Sequence, residues 1–522
     1  MSTPPVRPAL LTVAALALGA AHAMSFAPWN LPWLQLLAAA GLFVAAEAAG
    51  GARRAALAGF AFGLGWFGVG VSWVYVSMHV YGLMPAWLAA LATAAFAAFL
   101  ALYPALALGV ARRFVPDRSR RLLLGLPASW AATEWLRGVL LTGFPWLASG
   151  YAHSDGPLAG YAPVVGVYGI TLVAAVAAGL IAHVVCARPR RAAFCAAALA
   201  LLAAGGYGLR AIEWTRPEGA PITVRLVQGN VPQNEKFADG GLQRAVDTFT
   251  PLLDRAGDAD LVVLPESIFP LSLNRLPEEI IASLRDFVRA RGAALVFGAF
   301  IEQPPGAYYN SAVGLRPDAD PPLQRYSKRH LVPFGEFIPW GFHWFVDTMQ
   351  IPIGDQQRGA DYQGPMELAG QRIAVNICYE DLFGAEIISA WRVPERAPTL
   401  LLNVSNLAWF DDSIALPQHL QISRLRALET GRPVLRATNT GATAIIDARG
   451  RVVAQLPLLA TDVLAGSVTG YTGVTPYVRF GNGPALLLML AAGLAAVTLR
   501  RRTSSTYILR INESRNGDRG EG

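Results

Sequence analysis

A chain of 522 residues with a mean hydropathy of +0.37 and 15% charged residues is too apolar for an ordinary soluble protein and long enough for several domains. Its net charge of +7 is unevenly spread: residues 1–215 hold 13 Arg, no Lys and 5 acidic residues, residues 481–522 hold 6 Arg and 3 acidic residues, and residues 216–480 are left at −4. The basic character belongs to the apolar ends, so no nucleic-acid partner is expected, because such a domain carries its own basic face.

In chain order, apolar runs long enough to cross a bilayer fall near 8–24, 31–49, 56–78, 85–111, 122–142, 164–186 and 192–209, with an eighth near 484–499. Arginines gather on alternate sides of these runs. Arg7 precedes the first, Arg53 and Arg54 follow the second, and Arg112, Arg113, Arg118, Arg120 and Arg121 follow the fourth. Arg188, Arg190 and Arg191 follow the sixth, and Arg500, Arg501 and Arg502 the eighth, while loops 25–30, 79–84 and 143–163 hold no Lys or Arg. The positive-inside rule then places both termini in the cytoplasm and residues 210–483 outside. Ala21-His22-Ala23 also resembles a signal-peptidase site, and cleavage there would leave the orientation of the rest unchanged. Glu134 and Arg137, three apart in the fifth run, read either as a pair neutralising itself within the helix or as functional intramembrane charges. The loop Gly143 to Trp146 (GFPW) and the stretch Ala27-Pro28-Trp29 read as interfacial aromatic anchors, with lipid-headgroup contact as the sharper alternative.

From Pro221 the texture changes. Strands are expected at 222–228, 260–264, 293–300, 308–314, 372–378, 399–404 and 433–447, and amphipathic helices at 241–255, 277–290, 383–392 and 417–429. This alternation predicts an α/β domain with one core. The expected division is an N-terminal transmembrane region 1–210, an extracytoplasmic domain 216–480, a C-terminal transmembrane helix 484–500 and a polar cytoplasmic tail 503–522.

Within the polar middle, the stretch Ile373 to Leu382 (IAVNICYEDL) is the centre of the chemistry. A buried-strand pattern runs into Cys378 and then at once into Tyr379, Glu380 and Asp381, placing a thiol at the exposed end of a rigid strand. The blander reading makes Cys378 a small buried apolar residue. Cys186 and Cys195 lie in or beside apolar segments, so no disulfide framework or cysteine metal site can be built around Cys378, and no cofactor is expected. Two further stretches put reactive residues at strand ends: VVLPESIFP with Glu266, and YSKRHLVPFGEFIP with Lys328, His330 and Glu336. Glu266 could serve as base to the thiol, and Lys328 could stabilise a thiolate and an oxyanion. Spacing alone does not bring the three together, since each also reads as an ordinary surface or helix-end charge.

The order Glu, Lys, Cys in LPES, SKRHLVPFGE and CYED resembles the nitrilase (carbon–nitrogen hydrolase) superfamily. A fuller resemblance is to the bacterial apolipoprotein N-acyltransferases. It covers nearly the whole chain, through VQGNVPQNEKF at 227–237, KRHLVPFGEFIP at 328–339, CYED at 378–381, QHLQISRLRALETGRPVLRATNTG at 418–441 and the flanking apolar runs. It implies an αββα sandwich beside a helical bundle of about eight spans, in the bacterial inner membrane, with the catalytic domain on the periplasmic side. It also implies Cys378 as nucleophile, Glu266 as general base and Lys328 as stabiliser, with Glu336, Tyr379 and Glu380 supporting. The implied reaction carries an acyl chain from a phospholipid to the α-amino group of a diacylglyceryl-cysteine, through a cysteine thioester. Departures from the family pattern are Phe237 in place of Trp, and Leu407 and Asp411 in place of Asp and Gly. The apolar stretches between Glu336 and Gly354 and at 268–273 (IFPLSL) are expected to be lids or arms dipping toward the bilayer, the blander reading being that they pack on their own domain. Two other readings remain: a membrane-anchored amidase acting on a small amide, and a multispan transporter whose polar domain only binds ligand.

Overall fold

The computed structural model describes residues 8–185, 189–318, 323–343 and 355–498. Cys186, Arg188, the stretch 344–354 and the tail from 499 onward lie outside the described residues. All eight apolar runs contain helix, but among the described residues only Ala86–Phe114, Leu158–Val185 and Ala192–Arg210 are each long and apolar enough to cross a membrane. Ala52–Gly70 and Trp73–Tyr81 pass together as a pair bent by 54°, and Ala9–Ala23, Pro32–Ala48 and Gly483–Thr498 are shorter apolar helices. The run expected at 122–142 is broken. A wide turn at Arg121–Gly125 precedes the helix Leu126–Arg137, whose second residue, Pro127, has no N–H to give to a regular ladder.

Small residues let these helices approach at backbone contact. A Cβ at Gly65 would stand 2.0 Å from the Leu16 carbonyl oxygen, and one at Gly63 would stand 2.6 Å from the Ala101 Cα. Near the arginine-rich ends, Glu47 receives Nη2 of Arg121 at 2.6 Å and Nη1 of Arg112 at 3.5 Å, so the basic cluster there is partly neutralised.

Among the described residues, the polar middle folds into twelve strands. They are β1 (Thr215–Gln228), β2 (Leu261–Val263), β3 (Ala294–Glu302), β4 (Tyr308–Leu315), β5 (Gln324–Ser327), β6 (Met366–Leu368), β7 (Gln371–Ile377), β8 (Leu400–Ser405), β9 (Val434–Thr438), β10 (Ala444–Ile446), β11 (Val452–Gln455) and β12 (Asp462–Gly473). Two six-stranded sheets result, ordered β12-β1-β2-β3-β4-β5 and β11-β10-β9-β8-β7-β6. The central strands β1, β2 and β3 are parallel, as are β7, β8 and β9, and antiparallel strands close each edge. Alternation drives the layering: Val224, Leu226, Val263 and Val296 meet Val375, Ile377, Leu402 and Leu435 between the sheets. Leu295 and Phe297 turn outward to Phe249 and Leu284 of the helices Gly241–Ala256 and Glu278–Arg291. This is a helix–sheet–sheet–helix sandwich.

Three local expectations need correction. The single strand expected at 433–447 is two, because Gly441 turns the chain at φ 114°. The helix expected at 383–392 is one turn, Gly384–Ile387, followed by a 3-10 turn. The helix observed at Ala415–Thr430 has no solvated face: 13 of its 16 residues are buried. Leu420 and Ala427 pack on the second sheet, while Ile422, Leu425 and Leu428 pack on the membrane helices, so polar residues here meet protein rather than water. Strands β5, β6, β11 and β12 were too short or too weakly alternating to be read from the sequence.

Replacing Gly65 with Val should force its helix away from Pro8–Ala23 and cost about 1–3 kcal/mol. The expected result is a lower thermal midpoint of the detergent-purified protein. An unchanged midpoint would mean that the two helices are not in contact.

Candidate active site

The three side chains expected to carry the chemistry reach one place from three separate strand ends. Cys378 follows β7, Glu266 lies just beyond β2 and Lys328 directly follows β5. Nζ of Lys328 stands 3.6 Å from Oε1 of Glu266 and 2.8 Å from Oε1 of Glu336. The charges of Glu266, Lys328 and Glu336 all act on the Cys378 thiol. Close packing around Glu266 depends on a glycine opposite, since a Cβ at Gly298 would lie 2.2 Å from the Ser267 nitrogen and 2.5 Å from the Glu266 Cα.

Each carboxylate is tied down by fixed donors. Glu266 accepts from Nδ2 of Asn310 at 2.7 Å and from the backbone N–H of Asn406 at 2.6 Å. Glu336 accepts from the same Asn310 amide at 3.1 Å and from the Val332 N–H at 2.8 Å. Burial alone would favour a neutral Lys328, but Glu336 and Glu266 outweigh it and hold the ammonium well above the ordinary lysine range. The same surroundings act oppositely on Cys378: burial, then the charge of Glu266, push its thiol up, against the opposing pull of Lys328. The side chain keeps partial surface exposure. These surroundings favour the thiol over the thiolate.

Glu380 is a staple rather than a second acid at the thiol. It accepts the N–H groups of Ile377 and Arg329, both at 2.7 Å, of His330 at 3.1 Å, and the hydroxyl of Tyr326 at 3.0 Å. It thereby fixes the end of β7 against the segment that carries Lys328. Burial pushes its carboxyl up to about 7 against these donors. Tyr379 turns the other way, donating its hydroxyl to the Gly143 carbonyl at 2.9 Å. The GFPW loop is therefore an internal joint and not an interfacial anchor: Trp146 is buried and donates Nε1–H to Oε1 of Gln418 at 2.7 Å. Glu134 and Arg137 do pair with each other, at 3.7 Å, and they also brace this loop. Nη1 of Arg137 donates to the carbonyls of Phe144 at 2.6 Å and Trp146 at 2.7 Å, and Glu134 accepts the Ser149 N–H at 2.7 Å.

Of the expected arms, Ile268 and Phe269 pack into their own domain, while Trp340 is 97% exposed and Phe342 partly so. Asp411 takes φ 48°, ψ −157°, a conformation natural to the glycine of the family pattern. Asn310, Asn406, His419 and Arg436 were given no role from sequence. The last three lie in or near motifs that carried the resemblance, whereas nothing in the sequence around Asn310 marks it.

Two family profiles match: the apolipoprotein N-acyltransferase N-terminal domain over residues 18–180, and carbon-nitrogen hydrolase over residues 223–477. A relative named apolipoprotein N-acyltransferase from Ralstonia nicotianae is 51% identical over 495 residues, covering 94% of this chain and 93% of that one. The chain belongs to the apolipoprotein N-acyltransferase family. Relatives of the same name in Bordetella bronchiseptica and Nitrosomonas europaea are 46% and 45% identical, covering 95% and 94% of this chain and 97% and 98% of theirs. Among solved structures, the chain is similar to the C. elegans NitFhit protein at 18% identity and a TM-score of 0.37, covering 54% of this chain and 65% of that one. It is also similar to a carbon-nitrogen hydrolase from Helicobacter pylori at 16% identity and a TM-score of 0.35, covering 56% and 98%. The chain is thus an N-acyltransferase of this membrane-protein family, and the amidase and transporter readings fall.

Alkylation of Cys378 by iodoacetamide, followed by peptide mass spectrometry, should rise about tenfold per pH unit from roughly pH 7 to 9 without levelling off. A plateau below about pH 8 would reveal a preformed thiolate instead. Gly298→Ala should displace Glu266 and slow acyl transfer at least about tenfold. A normal rate would mean that the close approach is not needed.

Proposed function

We propose that this enzyme moves an acyl chain from a phospholipid to the α-amino group of a diacylglyceryl-cysteine at the start of a lipoprotein, by a two-step reaction through a thioester on Cys378. The observation that carries the proposal is the meeting of Glu266 and Lys328, 3.6 Å apart, beside the strand end that bears the Cys378 thiol. In the first step Glu266 takes the thiol proton as Sγ attacks the ester carbonyl. Lys328 meets the charge developing on the carbonyl oxygen, and the C–O bond breaks as Glu266 returns the proton to the leaving lysophospholipid. In the second step the acceptor amine attacks the thioester carbon. Glu266 takes the amine proton, the C–S bond breaks, and the proton passes back to sulfur. Glu336 keeps Lys328 charged, while Glu380 and Tyr379 position the segments on either side of the nucleophile.

The setting is part of the proposal. We infer about eight passages through the bacterial inner membrane, seven within residues 1–210 and one at 484–500. Residues 216–480 then form the periplasmic catalytic domain, with 503–522 as a cytoplasmic tail. The alternation of arginine-rich and arginine-free loops supports this orientation. The exposed Trp340 and Phe342 suit a surface that meets lipid.

The test is the intact mass of the purified protein after incubation with phospholipid. A fatty-acyl increment removable by neutral hydroxylamine is expected on the wild type and should be absent from Cys378→Ala. Lys328→Ala should slow its formation by on the order of 100- to 1,000-fold. An increment retained by Cys378→Ala would sink the mechanism.

A further inference from the structure

Cys378 sits in a left-handed backbone conformation, φ 53°, which a residue with a Cβ keeps only where its surroundings fix the peptide. Its carbonyl oxygen is captured twice, by Nδ2 of Asn403 at 3.3 Å and by Nε2 of His419 at 3.1 Å. The tautomer of His419 follows from its other nitrogen. Nη2 of Arg436 lies 2.5 Å from Nδ1, and because a guanidinium can only donate, Nδ1 must accept and Nε2 must carry the hydrogen. Burial, and then the charge of Arg436, hold this imidazole well below the ordinary histidine range, so it remains a neutral donor.

The ring plane is set from the membrane side. The indole of Trp146 stacks on His419 with centroids 5.5 Å apart and planes 7° apart. Trp146 is itself locked by Arg137 at its carbonyl and by Gln418 at its indole nitrogen. Neither His419 nor Trp146 is a member of the Glu–Lys–Cys set.

We propose that His419 is a positioning residue for acyl transfer, aiming the nucleophile by holding the Cys378 carbonyl, and that Trp146 of the membrane half sets the plane of its ring. This rests on the reading of Cys378 as the acyl-carrying nucleophile. The contact is to the backbone behind the thiol, so losing it changes how fast the thiol attacks and not how well the donor lipid is held.

Three full-length variants in detergent test this by acyl-enzyme formation across a range of phosphatidylethanolamine concentrations. His419→Phe keeps a ring to stack on Trp146 but has no N–H, and should acylate at least tenfold more slowly with an unchanged half-saturating donor concentration. His419→Gln offers an amide N–H toward Cys378 and an amide oxygen toward Arg436, and should restore the rate to within about threefold of wild type. Trp146→Leu leaves the His419 hydrogen bonds chemically possible while freeing the ring, and should slow acylation in the same rate-only way. If the Phe variant does not fold, the Gln and Leu variants carry the test. Wild-type acylation in the Phe or Leu variant, a Gln variant slowed tenfold or more, or a loss expressed in donor concentration alone would overturn the proposal. Failure of the underlying reading looks different: the wild type itself would then show no acyl increment.

Discussion

A buried ammonium facing two carboxylates is the constraint around which the catalytic half is arranged. Lys328 keeps its charge out of water only because Glu336 and Glu266 stand within 2.8 and 3.6 Å of it. Removing both would leave an uncompensated charge in a poorly solvated place, which costs several kcal/mol. Both carboxylates in turn depend on donors that cannot wander, the Asn310 amide and the backbone N–H groups of Asn406 and Val332. Those donors come from within β4 and from the loops beyond β5 and β8, so the strands must be in register before the donors meet the carboxylates. Fold and electrostatics are therefore one problem here, and the thiol is placed in the small region where both are solved.

The second dependence runs through the helix Ala415–Thr430. It forms the outer layer of one sheet and at the same time part of the core of the membrane bundle. Its polar residues are spent on the other half of the molecule. Gln418 receives the indoles of Trp73 and Trp146, Gln421 receives the Ala27 N–H, and Glu429 receives the Val167 N–H. An α/β sandwich tethered loosely to an anchor would have no use for such contacts.

Much of this was legible in the residues. The four apolar positions before Cys378 announce β7, and the charged turn after it announces the strand end, because a strand buried on both faces reads as a continuous apolar run. Glu266, Lys328 and Glu336 could be named but not brought together, since they are tens of residues apart and their meeting depends on sheet order. Asn310 was out of reach altogether: it lies mid-strand in β4 as an ordinary polar residue, and only pairing with β3 and β5 turns its amide toward the carboxylates. The helix at 415–430 misled for the opposite reason. Its polar residues suggest water, and only the membrane half supplies their true partners. Aromatic loops misled likewise, because a tryptophan expected at a headgroup region can as well fill a protein–protein seam.

That seam also imposes an order on biosynthesis. Trp146 and Gln418 are 272 residues apart, so at about 5–20 residues per second the loop waits roughly 14–54 s for its partner to emerge from the ribosome. The bonds that shape the loop span only 7, 9 and 15 residues, from Arg137 and Glu134 to Phe144, Trp146 and Ser149. The nascent bundle can thus form this docking face from local contacts and hold it in shape until the later helix arrives. The Glu134–Arg137 ion pair then acts first as a mould for the loop, before it supports anything at the thiol.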